Sequence, residues 1–360
     1  MKVLDLRPWW VRSALAGWRR GSVSGPAGRL TLADRWIGRR AARREPLADA
    51  APWLISIGNL ALGGTGKTPV VGALAAELAR RGRRGAILVR GFGSGLHGPV
   101  RVTGDLAAAG DEARWHAAAL AGTPWLVCQS RDRLAGLRWL RTQAPDLEFV
   151  LLEDAHQTAR LPRHLDVVIL DRWECETGPD GERLSPRTGP VFPAGPWRES
   201  AHGARRADSL LVESADPVPE TSVDGQPVGA FERRLRLRAP EGSGPEAQGS
   251  RPWAALSGIA RPERFERGVS QVLGKAPGLA VRCGDHQHYD RKRVARVRRE
   301  MERAGIGLLV TTAKDWVKLE ALWPAGAEVL IADLELRWGN RNALPDWIEE
   351  RVGSLSAGGR

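Results

Sequence analysis

The residues of this 360-residue chain with the clearest chemistry form one glycine-rich run between a strand and a helix. A short apolar strand at residues 54–57 precedes the run, and a helix with apolar residues at helical spacing follows at 69–81. Backbone N–H groups of such a loop turn toward phosphate oxygens, and the helix N-terminus adds a positive dipole. The pattern predicts a nucleotide site formed by Gly63, Gly64, Thr65, Gly66, Lys67 and Thr68.

Two side chains of this loop predict specific contacts. Lys67 is expected to reach the β- and γ-phosphates, and Thr68 is expected to place its hydroxyl on Mg²⁺. The usual spacing of a phosphate loop has a glycine where this chain has Ala61. An ordinary glycine-rich turn is the alternative, but the strand, loop and helix context favours phosphate binding. We therefore expect ATP and Mg²⁺ as cofactors.

Carboxylates form the second group of candidate residues. Asp111 and Glu112 open a helix, where acids either cap the first turn or serve a metal ion or a hydroxyl proton. Glu153 and Asp154 end an apolar strand, and a carboxylate at that place commonly faces the Mg²⁺ of a phosphate-loop enzyme. For Asp154 we favour a metal role over a surface acid, and the pattern leaves open which of the two acids faces the metal.

Three further segments carry weaker signals. Residues 90–95 form a glycine-rich run after a strand, and residues 193–199 form a stiff turn that presents Arg198. Residues 285–289 contain two histidines, including His286, but no third ligand has the spacing of a zinc site. A histidine paired with a carboxylate as proton acceptor is the better interpretation, and a capped helix start is the alternative.

The elements that must position these residues indicate an α/β protein. Short apolar runs alternate with helical segments through residues 26–215, which predicts a P-loop-type parallel sheet covered by helices on both faces. Residues 251–345 repeat this alternation as a second, smaller α/β domain. Between them, residues 216–250 are rich in Pro, Gly, Glu and Ser around one strand-like run, which predicts a two-stranded linker. Residues 346–360 are expected to form a C-terminal tail.

Charge and the N-terminus indicate an anionic partner. The net charge is +12, which suits nucleic acid, acidic lipid or a phosphorylated substrate equally. Residues 1–25 combine tryptophan with arginine at helical spacing, as an interfacial helix does; a helix packed on its own domain is the alternative. The three cysteines are scattered and fit neither a disulfide framework nor a zinc site, which is typical of a reducing cytoplasm.

Taken together, the motifs resemble the tetraacyldisaccharide 4′-kinase family, the lipid A 4′-kinases. The family's phosphate loop is itself atypical at the position of Ala61. The matching pieces keep their order over about residues 10 to 345 and lie at 56–69, 90–93, 110–112, 161–171, 192–199, 258–265, 285–289 and 311–315.

The resemblance implies a P-loop kinase that transfers the γ-phosphate of ATP to the 4′-hydroxyl of a tetraacyldisaccharide 1-phosphate, a lipid A precursor. It implies nucleotide and Mg²⁺ contacts from Lys67 and Thr68, and a base, Asp111, that works with His286 from the other domain. Glu112 matches a metal-associated acid, and Arg198 matches a cation near the transferring phosphate.

The resemblance also implies a membrane-associated helix at residues 1–25. We expect a peripheral monomer on the cytoplasmic face of the inner membrane of a Gram-negative-type bacterium. Its partners would be the lipid substrate and an anionic membrane surface, with no nucleic acid.

One signature departs from the family. Relatives read Asp-Asp-Gly-Phe-Gln-His where this chain has Glu153, Asp154, Ala155, His156, Gln157 and Thr158. The departure leaves open a membrane-surface protein that binds nucleotide without transfer. The basic charge leaves open a partition-type ATPase, although those enzymes usually carry an additional lysine early in the loop.

Overall fold

The protein is described here by a computed structural model. It describes residues 1–6, 52–62, 66–103, 106, 108–158, 160–178, 181–187, 189, 191, 195, 197–240, 251–284, 287–324, 327–339 and 342–358. The elements are, in chain order, β1 (Lys2–Asp5), β2 (Trp53–Asn59), α1 (Lys67–Arg80), β3 (Gly85–Val89), β4 (Val100–Arg101), α2 (Asp111–Ala119), β5 (Trp125–Gln129), α3 (Arg133–Gln143), β6 (Phe149–Glu153), β7 (Leu165–Asp171), β8 (Cys175–Thr177), β9 (Arg183–Pro186), β10 (Ser209–Glu213), β11 (Thr221–Ser222), β12 (Val228–Arg238), β13 (Trp253–Ser257), α4 (Pro262–Leu273), β14 (Leu279–Arg282), α5 (Arg291–Arg303), β15 (Leu308–Thr312), α6 (Ala313–Leu319), β16 (Val329–Trp338) and α7 (Leu344–Gly358).

The chain divides into two compact units. The phosphate-loop unit comprises Ser22–Arg233 and Leu336–Arg360, and the second unit comprises Met1–Gly21 and Arg234–Glu335. The chain passes from one unit to the other within the long strands β12 and β16. The described part of the predicted linker at residues 216–250 forms β11 and β12, and residues 241–250 lie outside the described residues, so the linker stays a prediction.

In the phosphate-loop unit the strands lie in the order β12, β10, β7, β2, β6, β3, β5 and β4. Neighbouring strands run parallel, and only β4 runs antiparallel to β5. The central strands β2, β3, β6 and β7 are buried, which explains their nearly continuous apolar sequences. Val70, Leu74 and Leu78 cover this sheet from α1, as the helical spacing predicted.

The C-terminal residues differ from the expected tail. They form helix α7, whose Leu344 and Ile348 are buried in the same core as α1. Glu349 of this helix accepts a hydrogen bond of 2.6 Å from Arg81 at the end of α1. Burying two large aliphatic side chains contributes on the order of 3–6 kcal/mol, which is enough to hold a short helix.

The second unit has the strand order β1, β14, β13, β15 and β16, and each neighbouring pair is parallel. Residues 2–5 were expected to lie in a helix, and this prediction is wrong for them. They form β1 in register with β14, Lys2 beside Leu279, while Leu4 packs on the core and Lys2 pairs with Glu300. Residues 7–25 of the expected helix lie outside the described residues.

No helix in the described part of the chain has both the length and the apolar character needed to cross a bilayer.

Candidate active site

The phosphate loop leads from β2 into α1, and its last residue, Gly66, is described. Gly66 adopts a left-handed conformation with φ 77°, which favours glycine. A Cβ atom at this position would lie 1.8 Å from Nη2 of Arg233, so the end of that flexible side chain would have to move. Gly63, Gly64 and Thr65 lie outside the described residues, and their phosphate contacts stay predictions.

Lys67 is the first residue of α1, and two neighbours hold its ammonium group. Its Nζ donates to Oδ1 of Asn59 at 3.2 Å and lies 3.4 Å from Oδ1 of Asp154. Asn59 ends β2 and donates from its own Nδ2 to the carbonyl of Ala61 at 2.7 Å. The end of β2, the loop and the start of α1 therefore meet at the ammonium group of Lys67. A cation at a helix N-terminus is an arrangement that suits the binding of phosphate.

Thr68, at the start of α1, contacts Glu153 at the end of β6. Its hydroxyl donates to Oε1 of Glu153 at 2.5 Å, and Nε2 of His116 lies 2.7 Å from the other carboxylate oxygen. Burial acts to raise the pKa of Glu153, but His116, Thr68 and Lys67 outweigh it and lower that pKa. The carboxylate next to the expected metal hydroxyl is therefore that of Glu153, and it is ionised.

Asp154, in contrast, faces cations. Its Oδ1 lies 2.7 Å from Nη1 of Arg198 and 3.4 Å from the ammonium of Lys67. Burial acts to raise the pKa of Asp154, but Lys67, Arg198 and Arg133 lower it to about 2. Its backbone has φ 52°, which is uncommon for a residue other than glycine. The local fold thus turns this carboxylate toward the two positive charges.

Arg198 is fixed to the start of the phosphate loop by its backbone. Its N–H donates to the carbonyl of Leu60 at 2.7 Å, and the preceding Trp197 forms a β-bridge with Ala61. Gln157 braces the same region, because its Nε2 donates to the carbonyl of Asn59 and to the carboxylate of Glu199, both at 2.7 Å. The turn predicted to present Arg198 therefore belongs to the phosphate-loop region.

Arg133 supports the backbone of the divergent signature. Its Nη2 donates to the carbonyls of Glu153 at 2.6 Å and Asp154 at 3.1 Å, and its Nη1 donates to the hydroxyl of Thr158 at 3.0 Å. Burial lowers the pKa of this guanidinium. Thr158 therefore has a defined hydrogen-bond partner, and Arg133 ties it to the backbone of Glu153 and Asp154.

Asp111 and Glu112 occupy the first turn of α2. The preceding Gly110 donates its N–H to Oε1 of Gln129 at 2.8 Å, and a Cβ on Gly110 would lie 3.1 Å from Cα of Gly91. The glycine-rich run after β3 thus lies against the start of α2. Glu112 and His116 are four residues apart in this helix and share one face, the face that contacts Glu153.

Lys67 and Arg198 both contact Asp154, and Thr68 contacts Glu153; the roles predicted for these residues stay predictions. His286 lies outside the described residues, so its role stays a prediction. No three His, Cys, Asp or Glu side chains of the described residues cluster as a self-contained metal site.

Three contributors were missed from the sequence, namely His116, Arg133 and Arg233. Of these three residues, only His116 could have been found from the sequence, because it follows Glu112 by four residues and so shares its helix face.

Comparison with known proteins identifies similar chains. The family model described as tetraacyldisaccharide-1-P 4′-kinase matches residues 29–353. The tetraacyldisaccharide 4′-kinase of Phenylobacterium zucineum is 35% identical over 333 residues, covering 90% of this chain and 92% of that protein. The enzyme of the same name from Caulobacter vibrioides is 33% identical over 350 residues, with the same two coverages, 90% and 92%.

A solved structure has the same fold. The crystal structure of LpxK from Aquifex aeolicus in complex with ATP superposes with a TM-score of 0.65 at 23% identity. The match covers 95% of this chain and 99% of that chain.

Proposed function

Since this chain belongs to the tetraacyldisaccharide-1-P 4′-kinase family, we propose that it transfers the γ-phosphate of ATP to the 4′-hydroxyl of tetraacyldisaccharide 1-phosphate, a lipid A precursor. The observation that carries this proposal is the convergence of Lys67, Thr68, Glu153 and Arg198 at one helix N-terminus. Phosphoryl transfer depends on positioning and charge neutralisation more than on covalent chemistry. Family membership does not favour a partition-type ATPase or a binding protein without transfer.

The nucleotide would bind at the N-terminus of α1. The structure from Aquifex aeolicus is a complex with ATP, and in this chain the phosphate loop joins strand β2 to helix α1. Lys67 would exchange its contacts with Asn59 and Asp154 for β- and γ-phosphate oxygens. The loop N–H groups of residues 63–66 would bind the same phosphates.

The side chains beside Thr68 fit Mg²⁺. A threonine hydroxyl and an ionised carboxylate, that of Glu153, lie within 2.5 Å, and both are hard oxygen donors of the kind Mg²⁺ prefers. Mg²⁺ bound with nucleotide takes its remaining ligands from phosphates and water, so a cluster of three acids is not required. When bound, it neutralises charge on the β- and γ-phosphates. Glu112, on the His116 face of α2, would approach the ion from the other side, and Asp154 would act through Lys67 and Arg198.

Arg198 would stabilise the transferring phosphoryl group. Its pairing with Asp154 keeps the guanidinium next to Lys67, and the backbone bond to Leu60 fixes it to the loop. A guanidinium placed in advance adds no reorganisation cost when charge develops on the equatorial oxygens. Arg198 therefore acts mainly in the transition state.

Asp111 would accept the proton of the sugar hydroxyl. It is in the first turn of α2, whose position is fixed by Gly110, Gln129 and the contact of His116 with Glu153. We propose that His286 assists this proton transfer, as the family resemblance implies. A base must reach the hydroxyl directly or through one water, which the acceptor's binding would arrange.

The acyl chains of the acceptor would lie in a bilayer, so the protein would act at a membrane surface. We place it, as a peripheral monomer, on the cytoplasmic face of the inner membrane of a Gram-negative-type bacterium. The net charge of +12 favours an anionic lipid surface.

The direct test is transfer of labelled γ-phosphate from ATP to tetraacyldisaccharide 1-phosphate in mixed micelles. The wild type should form a phosphorylated lipid, and Lys67→Ala should lower the rate by at least about 100-fold. Lys292→Ala, which removes an exposed lysine of the second unit, is the matched control and should keep the rate. A folded wild type that binds ATP and forms no lipid product would contradict the proposed acceptor.

A further inference from the structure

We propose that His116 is a positioning residue of the metal–nucleotide site. It holds the carboxylate of Glu153 against the hydroxyl of Thr68 and so sets how strongly Mg²⁺ strengthens ATP binding. The inference rests on the proposed ATP site, and it concerns a histidine that the sequence motifs did not single out.

The contact between His116 and Glu153 is buried and specific. Both side chains are almost fully excluded from solvent, with 0% and 2% exposure, and Nε2 lies 2.7 Å from Oε2. The second carboxylate oxygen accepts from Thr68 at 2.5 Å. One carboxylate therefore joins three elements, namely α1, α2 and the end of β6.

The surroundings of the ring decide which nitrogen carries the proton. Nδ1 of His116 is buried and has no hydrogen-bond partner among the described residues. A proton on Nδ1 would be left unsatisfied, which is costly, whereas an Nε2–H has Glu153 as its acceptor. Nε2 of His116 therefore carries a proton and donates a hydrogen bond to the carboxylate of Glu153.

The hydrogen bond from His116 also orients the hydroxyl of Thr68. With one oxygen of Glu153 occupied by His116, the other oxygen accepts the proton of the Thr68 hydroxyl. The lone pairs of that hydroxyl then point away from Glu153, which is the orientation a metal ligand needs. His116 acts on the metal through two hydrogen bonds and does not touch it.

The fold provides a specific route for the ring to reach Glu153. A Cβ on Gly72 of α1 would lie 2.6 Å from the ring of Trp115 and 3.5 Å from Nδ1 of His116. Glycine within a helix costs about 1 kcal/mol relative to alanine. Here the missing side chain lets Trp115 and His116 of α2 pack closely against α1 at Gly72.

The length of the Glu153 side chain allows both contacts. Its carboxylate reaches the hydroxyl of Thr68 and Nε2 of His116 at the same time.

The experiment measures ATP affinity by calorimetry, once with Mg²⁺ and once with EDTA, and without any lipid acceptor. His116→Leu should weaken binding of Mg²⁺ with ATP by about tenfold or more, because it removes a buried hydrogen bond to a charged group, and should leave ATP affinity in EDTA nearly unchanged. His116→Gln keeps an N–H donor and should recover most of the loss. His164→Leu is the matched control: His164 accepts a hydrogen bond from the N–H of Leu54, near the start of β2, and its loss should not change the effect of Mg²⁺.

If Mg²⁺ strengthens ATP binding as much in His116→Leu as in the wild type, the inference is wrong. It is also wrong if His116→Leu loses ATP affinity equally with Mg²⁺ and with EDTA, because that result indicates a merely structural role. If His116→Leu does not fold, Glu153→Asp gives the same test, since the shorter side chain cannot keep both partners and should lose the Mg²⁺-specific gain. A wild type that forms no phosphorylated lipid but shows His116-dependent binding would contradict the proposed function and support this inference.

Discussion

Arg198 and Asp154 form an ion pair of 2.7 Å that joins residues 197–199 to the end of β6. The pair exists because Asp154 takes a left-handed backbone conformation and the N–H of Arg198 bonds to Leu60. Lys67 lies on the same carboxylate oxygen at 3.4 Å. Asp154 therefore holds two cations side by side where phosphate charge must be neutralised.

Arg198→Ala should lower kcat by about 100- to 1,000-fold and change the KM for ATP little, because a pre-positioned donor acts mainly on transition-state charge. The kcat of Arg198→Lys should lie between those of the wild type and Arg198→Ala, because lysine keeps the charge but lacks the planar guanidinium. Steady-state kinetics with varied ATP separates the two parameters. Arg205→Ala, at a side chain 59% exposed and paired with Asp224, is the control. A rise in KM alone would assign Arg198 to nucleotide binding.

Asp111→Asn should nearly abolish transfer and retain ATP affinity, because the amide cannot accept the hydroxyl proton. His286→Ala should act in the same direction if it assists the base. The control is Asp132→Asn, at the residue that caps α3 through the N–H groups of Leu134 and Ala135; asparagine caps equally well. Single-turnover transfer and ATP binding are the two measurements. Full turnover in Asp111→Asn would exclude Asp111 as the base.

The sequence predicted the elements whose signals are local. The run from β2 to α1 was evident because apolar spacing, glycines and the lysine lie within about thirty residues of one another. Glu153 and Asp154 were found because acids at a strand end share an edge with the phosphate loop. Their division of labour was not predictable, since it depends on where Arg198 and His116 lie in space.

The elements missed are those that distant partners stabilise. Residues 2–5 carry no strong strand pattern, and they form β1 because the edge of β14 accepts them. Helix α7 has only a few apolar residues, and it exists because Leu344 and Ile348 fill the core beside α1. Arg133 hydrogen-bonds to backbone carbonyls of a distant strand end, and the guanidinium of Arg233 lies beside Gly66; the sequence around these two arginines gives no sign of either.

Gly66→Ala should weaken ATP binding by about tenfold or more. The left-handed backbone costs an L-residue about 1–2 kcal/mol, and the guanidinium of Arg233 would have to move away from the new Cβ. Gly82→Ala is a matched control, because Gly82 has φ 80° with no atom within 4 Å of the added Cβ, so it carries the strain without the overlap. Thermal stability should fall in both variants, and ATP binding should fall only in the first. Equal ATP affinity in the two variants would contradict this.

Asp166→Asn should destabilise the protein at neutral pH and flatten its acid dependence. Burial acts to raise the pKa of Asp166, but His156, Arg163 and Ser56 outweigh it and hold that pKa far below its usual range. A depressed folded pKa gives stability that is complete above about pH 4 and is lost as the pH falls further. Removing one partner of a buried ion pair costs about 3–5 kcal/mol.

Urea unfolding at neutral pH and at successively lower pH values tests this expectation. Asp146→Asn is the control, because Asp146 makes a half-exposed pair with Arg84 and should change stability by no more than about 1 kcal/mol. An unchanged acid dependence in Asp166→Asn would contradict the assignment of that dependence to Asp166.

Replacing Trp9, Trp10 and Trp18 with serine should weaken binding to anionic liposomes, because interfacial tryptophan supplies much of the affinity of a surface helix. Substitution is a sharper test than deletion of residues 1–25, which would also remove β1 and the pair between Lys2 and Glu300. Sedimentation with vesicles of anionic lipid, and of neutral lipid as a reference, measures the loss. Transfer to a micellar acceptor should be less affected than transfer to one in vesicles. Unchanged vesicle binding would favour the alternative that this segment packs on the protein itself.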